Sequence, residues 1–267
     1  MTALPLALDS LPEPDLVRDP LDHRDSVIVR ISAIVDAFDP ATPVLSLGRL
    51  MERTALPKST VYRLTEQLVE LRWLERSASG YRLGLKFFEI GGLVGARSRL
   101  RTNAMPHLQT LRDQVGQSVH MGVLDNLDVV ILAKIWGLES TMPTWDGGRM
   151  PAYCTATGKV LLAHSSTAVV EAAIARGLPR RTQATVVHPL VFRNGLEKIR
   201  NDGFAVEYEE NVAGLCCVAA PILDHAGNVV AAVSVSGSLY SFDLVRATPF
   251  VVRCAAAISG HPSPKRR

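Results

Sequence analysis

The chain has 267 residues, of which 47% are hydrophobic and 21% charged, enough for more than one core and suggesting two domains. No apolar run approaches the roughly 18 residues a bilayer span needs, and no apolar stretch follows a basic start, so a soluble, cytoplasmic protein with no membrane partner is expected. Four cysteines (Cys154, Cys216, Cys217, Cys254) show no CxxC spacing, which argues against a zinc site or a disulfide framework; neither metal nor cofactor is expected.

The net charge of +3 says little, but its distribution is uneven. Residues 1–44 carry eight acids against Arg18, Arg24 and Arg30, whereas residues 45–101 carry eleven bases against five acids. The first 25 residues, with Pro12, Pro14 and Pro20 among acids, read as a flexible arm.

Residues 26–84 read as a winged helix-turn-helix. Val27 to Phe38 is apolar at Val27, Ile31, Ile34, Val35 and Phe38, a first helix. Ser46 caps a second through Thr54, a tight turn follows, and Pro57 opens a third from Lys58 to about Arg72. The third helix has an apolar seam of Val61, Leu64, Leu68 and Leu71, which turns Lys58, Ser59, Thr60, Tyr62 and Arg63 outward at its N-terminal half. These are groups that reach phosphates and base edges, while Glu66 and Glu70 at the other end would be repelled. Such a helix enters a groove with its N-terminal end first. Trp73–Arg76 and Tyr81–Leu83 flank Ser77-Ala78-Ser79-Gly80 as a wing, with Arg76 and Arg82 near its tip. A plain helical pair followed by a solvated hairpin is the alternative. The placement of the hairpin and the one-sided basic charge favour double-stranded DNA.

A connector over residues 85–98 reads as one helix from Leu85 to Arg97, weakened by Gly91, Gly92 and Gly95. A second domain, residues 99–260, opens with a helix to Val115 that Pro106 should kink, and a basic tail, 261–267, ends the chain. Strands follow at Ser118–Leu124 and Val129–Ile135, then helices at Ala156–Ala163, Val169–Arg176 and Pro189–Asn201. After them come strands at Phe204–Tyr208, Cys217–Ile222 and Val229–Ser236, and a final helix capped by Ser241. Hairpins feeding one sheet with helices packed on it indicate an α+β ligand-sensing domain of the GAF or PAS kind.

Thr155-Ala-Thr-Gly-Lys159 is not a phosphate loop, because Tyr153 stands where a glycine is required and Val160 where a hydroxyl is required. What remains is a loop entering a helix whose free N–H groups can hold an oxygen, or simply a helix cap at Thr155. Cys216 and Cys217 open an apolar strand, where cysteine is usually a small buried hydrophobe. Trp136, Met142, Trp145, Met150 and Tyr153 line an apolar ligand pocket or belong to the core; both readings stay open.

Five segments, in order, resemble the successive motifs of the IclR family of bacterial transcription regulators: Leu56-Pro-Lys-Ser-Thr-Val-Tyr-Arg-Leu64, Tyr81-Arg-Leu-Gly84, Arg149-Met-Pro-Ala-Tyr-Cys-Thr-Ala-Thr-Gly-Lys159, Gly214-Leu-Cys-Cys-Val-Ala-Ala-Pro221 and Val233-Ser-Val-Ser-Gly237. The resemblance implies a winged-helix DNA-binding domain, a linker helix and a GAF-like effector domain. It further implies a homodimer or tetramer on palindromic operator DNA, controlling catabolic or related genes in response to a small organic effector; a polar floor beside an apolar wall of Trp136, Trp145, Met150 and Tyr153 would suit an organic acid or a phenolic compound. By the same resemblance the effector cup falls at the N–H groups of Ala156 and Thr157 and at Glu207, Cys217, Ser234 and Ser236. The alternative from another class is a small-molecule-binding metabolic enzyme whose helical N-terminal unit serves oligomerisation, but no catalytic dyad of recognisable spacing is present.

Overall fold

A computed structural model describes residues 26–137 and 144–260, which divide into two compact units, 26–98 and 99–260. The proposed arm, the basic tail and Met142 lie outside the described residues.

In the first unit, α1 (Val27–Asp36), α2 (Leu47–Thr54) and α3 (Lys58–Glu70) precede a two-stranded antiparallel wing, β1 (Leu74–Ser77) and β2 (Gly80–Leu83). Ser46 caps α2 by accepting the N–H of Arg49 at 3.3 Å, and Ala55 ends the helix in the left-handed conformation. Ile34, Leu50, Val61, Leu64, Leu68, Leu74 and Tyr81 form one core between the helices and the wing. Leu71 departs from the expected seam: it stands beyond the end of α3, the chain turns at Arg72 (φ 64°), and its side chain is 63% exposed. The wing is tied to the loop before α2, since Leu45 and Tyr81 exchange backbone hydrogen bonds of 2.9 and 2.8 Å. A Cβ on Gly80 would lie 2.2 Å from the Leu45 carbonyl oxygen, so only glycine allows this approach.

The connector is divided differently from expectation. A short α4 (Lys86–Gly91) stops at the glycines, and α5 (Gly95–Val115) then runs through Pro106 without interruption. The proline removes one backbone bond, but Leu100, Ala104, Leu108 and Leu111 are buried along the helix and hold it against the sheet.

The second unit is built on six antiparallel strands: β3 (Ser118–Asp125), β4 (Asp128–Ile135), β5 (Arg149–Pro151), β6 (Ala205–Tyr208), β7 (Leu215–Leu223) and β8 (Val229–Ser238), in the order β5-β4-β3-β8-β7-β6. The three-residue β5 is too short to carry a periodic signal. On one face, α5 and α9 (Leu244–Ile258) pack on Val119, Met121, Val218, Val233 and Val235. On the other, α6 (Ala156–Ala163), α7 (Thr167–Arg176) and α8 (Pro189–Asp202) pack on Val129, Ile131, Ala205, Ala219 and Ala232. The final helix is capped by Asp243, which accepts the N–H of Arg246 at 2.9 Å, and not by Ser241. The architecture is α+β, with a helix-turn-helix unit followed by a curled antiparallel sheet and its helices.

Candidate functional site

On α3, Lys58, Ser59, Tyr62 and Arg63 are exposed and Thr60 is half-buried. Among the described residues no hydrogen bond or ion pair engages the side chains of Lys58 or Arg63. Pro57 is the residue preceding the helix, so the first turn begins at Lys58 with no side-chain cap on its N–H groups. Those N–H groups and the two free cations give this end of α3 a positive field.

The wing arginines stand differently. The closing pair is Ser77 with Gly80; Arg76 and Arg82 stand one and two residue pairs below it, behind a tip of Ala78 and Ser79. Arg76 is paired with Glu66, which also accepts the Tyr81 hydroxyl at 3.2 Å, and Arg82 is paired with Glu75 at 2.7 Å. The Arg82 hydrogen bond, helped by the N–H of Leu85, holds the Glu75 carboxyl below its usual range. Glu66 therefore neutralises a wing arginine, a role that only the fold assigns.

In the second unit, strand register assembles a polar floor on the face beneath α6. Glu207, Cys217 and Ser236 are register neighbours across β6, β7 and β8, and Ser234 is opposite His120 of β3. The N-terminus of α6 stands over this floor. Thr155 accepts the N–H of Gly158 at 3.2 Å and donates to the Pro151 carbonyl at 2.9 Å, which leaves the N–H groups of Ala156 and Thr157 without a described acceptor. The helix packs closely on the segment that leads into it: a Cβ on Gly158 would lie 2.3 Å from the Ala152 backbone. Thr157 bonds Ser234 hydroxyl to hydroxyl at 2.9 Å, while the buried Ser236 hydroxyl has no hydrogen-bond partner among the described residues.

These groups enclose a cavity lined by Ala156, Thr157, Glu207, Cys217, Ser234 and Ser236 together with Met150. His120, Thr155, Asn211, Val212, Leu215 and Cys216 complete it. It leaves about 10 Å³ of space wide enough for a water, room for one molecule, so anything larger must push back the rim. The remaining expected wall residues are elsewhere. Trp136 is 60% exposed with the Lys134 ammonium 3.5 Å from its ring centroid, and Trp145 is 41% exposed. Tyr153 donates to the Pro179 carbonyl at 2.7 Å and faces a separate groove beside Arg176. His120 was not legible as a lining residue, because only the β3–β8 register brings it beside Ser234.

Burial governs the ionisation of this cavity. Desolvation pushes the Glu207 carboxyl up to about 7; the N–H groups of Asn211 and Glu210 oppose this, the Glu210 charge adds to it, and Lys159 subtracts. Desolvation and the neighbouring Lys134 push His120 down to about 3, so its ring is neutral and bonds Thr144 at 2.9 Å. The Cys217 thiol is driven upward by burial and stays protonated. Behind the cavity, Lys159 of α6 and Glu210 form an ion pair with both side chains about nine-tenths buried. A larger groove of about 360 Å³ runs along α8 past Phe192, Leu196 and Ile199, but its exposed Lys198 and Asp202 are paired with each other.

A winged helix-turn-helix with an unpaired basic helix end, followed by an α+β unit with a polar cavity, defines a ligand-sensing DNA-binding protein. Residues 27–78 match the IclR helix-turn-helix domain, and residues 94–260 match the bacterial transcriptional regulator IclR C-terminal domain. The chain belongs to the IclR family, and it is a DNA-binding transcription regulator with an effector-binding C-terminal domain. It is 32% identical over 213 residues to the HTH-type transcriptional regulator XynR of Escherichia coli, covering 78% of this chain and 84% of that one. It is 29% identical over 212 residues to the Pca regulon regulatory protein of Pseudomonas putida, covering 78% and 73%. Among solved structures, an IclR homolog from Microbacterium hydrocarbonoxydans complexed with 4-hydroxybenzoate superposes with a TM-score of 0.81 at 26% identity, over 88% of this chain and 98% of that one. These relatives are regulators, and none of them supports reading the chain as an enzyme.

Proposed function

We propose that α3 enters the major groove of an operator, that Lys58 and Arg63 supply its free cations, and that Ser59, Thr60 and Tyr62 supply the remaining polar contacts. Arg76 and Arg82 reach the flanking phosphates once they exchange their carboxylate partners for DNA. The unpaired state of Lys58 and Arg63 on an exposed helix end supports this reading, since each such cation releases counterions when it meets a phosphate.

One recognition helix reads only a half-site, so the working form is a homodimer or a higher assembly of dimers. Exposed apolar side chains support this: Phe88 is 80% and Leu93 81% exposed, with Leu85 and Val94 beside them in sequence. With Ile90, five such residues within ten positions of one connector mark a surface made to be covered.

The effector is a small organic acid or phenolic compound, and the regulated genes belong to its catabolism. Its oxygen takes the N–H groups of Ala156 and Thr157 and the free hydroxyl of Ser236, and its body displaces rim side chains such as Met150 and Leu215. The single observation that carries this is the buried Ser236 hydroxyl, without a hydrogen-bond partner among the described residues, facing a helix N-terminus across a cavity. That a structural relative was solved with 4-hydroxybenzoate supports the same chemical class. The test is a gel-shift titration on DNA from upstream of the gene, with and without 4-hydroxybenzoate. Coupling of about 1–3 kcal/mol between effector and DNA is expected. Replacing Ser234 and Ser236 together by alanine should abolish the response while leaving effector-free DNA binding intact. An unchanged response in the double variant would move the effector site elsewhere.

A further inference from the structure

We infer that this cavity takes an anionic effector only together with one proton, held on Glu207, which makes Glu207 the residue that decides which effectors are accepted. The inference rests on reading the cavity as the effector site.

Two carboxyl groups, Glu207 and Glu210, are buried within three residues of each other, and Lys159 is the buried cation beside them. Lys159 is engaged by Glu210. The two carboxyl groups are further linked through the main chain, because Glu210 donates its N–H to Glu207 Oε1, and Asn211 donates to the same oxygen at 3.2 Å. The other oxygen of Glu207 has no described protein partner, and Glu207 lines the cavity.

Of the other groups facing Glu207, only the exposed Arg181 carries a positive charge. On β7, Cys217 and Cys216 are thiols that burial keeps protonated. Ahead of α6, burial raises the Cys154 thiol to about 11. On β3, His120 is neutral, and β8 offers the Ser234 and Ser236 hydroxyls. Glu209, in the turn after β6, is used by the N–H of Gly214 at 2.7 Å, and Arg181 is exposed, with its Nε 3.5 Å from the Asn211 carbonyl. No lysine or arginine lines the cavity among the described residues.

A carboxylate bound beside an ionised Glu207 would place two anions in a desolvated pocket whose nearest cation is already neutralised. Like charges sharing a buried site force one of them to take a proton. Protonated, Glu207 becomes a donor aimed at the effector's oxygen, while its Oε1 keeps both backbone bonds. Burial has already brought Glu207 to about 7, so the proton is available near neutrality. A neutral effector needs no such proton, and the cavity therefore favours carboxylates as the pH falls.

The experiment is calorimetric titration of the full-length protein with 4-hydroxybenzoate and with its uncharged analogue 4-hydroxybenzamide, from about pH 6 to about pH 8, in buffers of different ionisation enthalpy. For the benzoate, affinity should fall about tenfold per pH unit above pH ~7 and level off below it, with uptake of nearly one proton at pH ~8. The amide should show neither effect. Glu207→Gln keeps the acceptor for the backbone N–H groups and presents a permanent donor, so it should bind the benzoate without pH dependence. Benzoate binding to the unaltered protein with no proton uptake, or a slope that survives in Glu207→Gln, overturns the inference and leaves the cavity as the effector site. Binding of neither compound overturns the effector class first and the inference with it. A carbon-13 measurement on the Glu207 carboxyl in the benzoate complex is the independent check: a carboxyl still ionised in the complex at pH ~7 overturns the inference.

Discussion

Lys159→Met isolates the buried ion pair behind the cavity. The side chains of Lys159 and Glu210 are 9% and 10% exposed, and Glu210 Oε2 has no hydrogen-bond partner among the described residues. Removing the ammonium strands a carboxylate with its one strong partner gone, which costs about 3–5 kcal/mol for a buried pair. Methionine matches the length of the lysine stem, so little of that cost comes from poorer packing. Replacing both partners, as in Lys159→Met with Glu210→Leu, removes the charge entirely. It should be near neutral, because buried pairs repay little more than their own desolvation. The assay is urea unfolding followed by fluorescence in a Trp73→Phe background, so that the signal comes from Trp136 and Trp145 in the same unit as the pair. Acidic solution supplies the proton that a stranded carboxyl needs, so the loss in the single variant should shrink as the pH falls toward 5. A loss under about 1 kcal/mol, or a double variant as unstable as the single one, would refute the reasoning.

Alanine at Lys58 or Arg63 should weaken operator binding, and the slope of log affinity against log salt should shallow by about one for each phosphate that the variant no longer neutralises, as measured by anisotropy at several salt concentrations. Phe88→Asp together with Leu93→Asp should shift the assembly toward monomers in light scattering; an unchanged mass would place the interface elsewhere. Glu207 has a folded pKa of about 7 against 4.5 for the free side chain, so the folded state binds the extra proton between those values. Stability should fall by up to about 3 kcal/mol as the pH rises through that window, and Glu207→Gln should flatten the fall in urea melts. The glycines of two helices should separate cleanly in thermal unfolding. Gly158→Ala forces a methyl into the Ala152 backbone and should cost about 1–3 kcal/mol, whereas Gly195→Ala on α8 meets nothing within 4 Å and should gain up to about 1 kcal/mol.

Local chemistry wrote most of the architecture into the chain. The three-residue and four-residue spacing of Val61, Leu64 and Leu68, the cap at Ser46 and the turn around Gly80 each act over a few residues, so the winged unit is legible without any tertiary information. The alternating strands and the motif that enters α6 are local in the same sense, and they carry the α+β reading, whereas the cup positions Ala156, Thr157, Ser234 and Ser236 follow from the family resemblance of the motifs that hold them. Where local signals conflict, the sequence misplaces boundaries. Pro106 reads as a kink, yet the buried row of Leu100, Ala104, Leu108 and Leu111 keeps α5 continuous.

Long-range facts belong to the fold alone. That His120 lies beside Ser234 follows from a register between strands more than a hundred residues apart, and a slip of one residue would turn it to the opposite face. That Trp136 and Trp145 lie away from the cavity, while Met150 lines it, depends on where short segments come to rest against the sheet edge. The pairing of Lys159 with Glu210, fifty-one residues apart, had no signal in the spacing of either residue. An ion pair is recognised by distance in space, and so is the proton it leaves to Glu207: the sequence determined which groups exist, and tertiary structure decided which of them share a desolvated pocket.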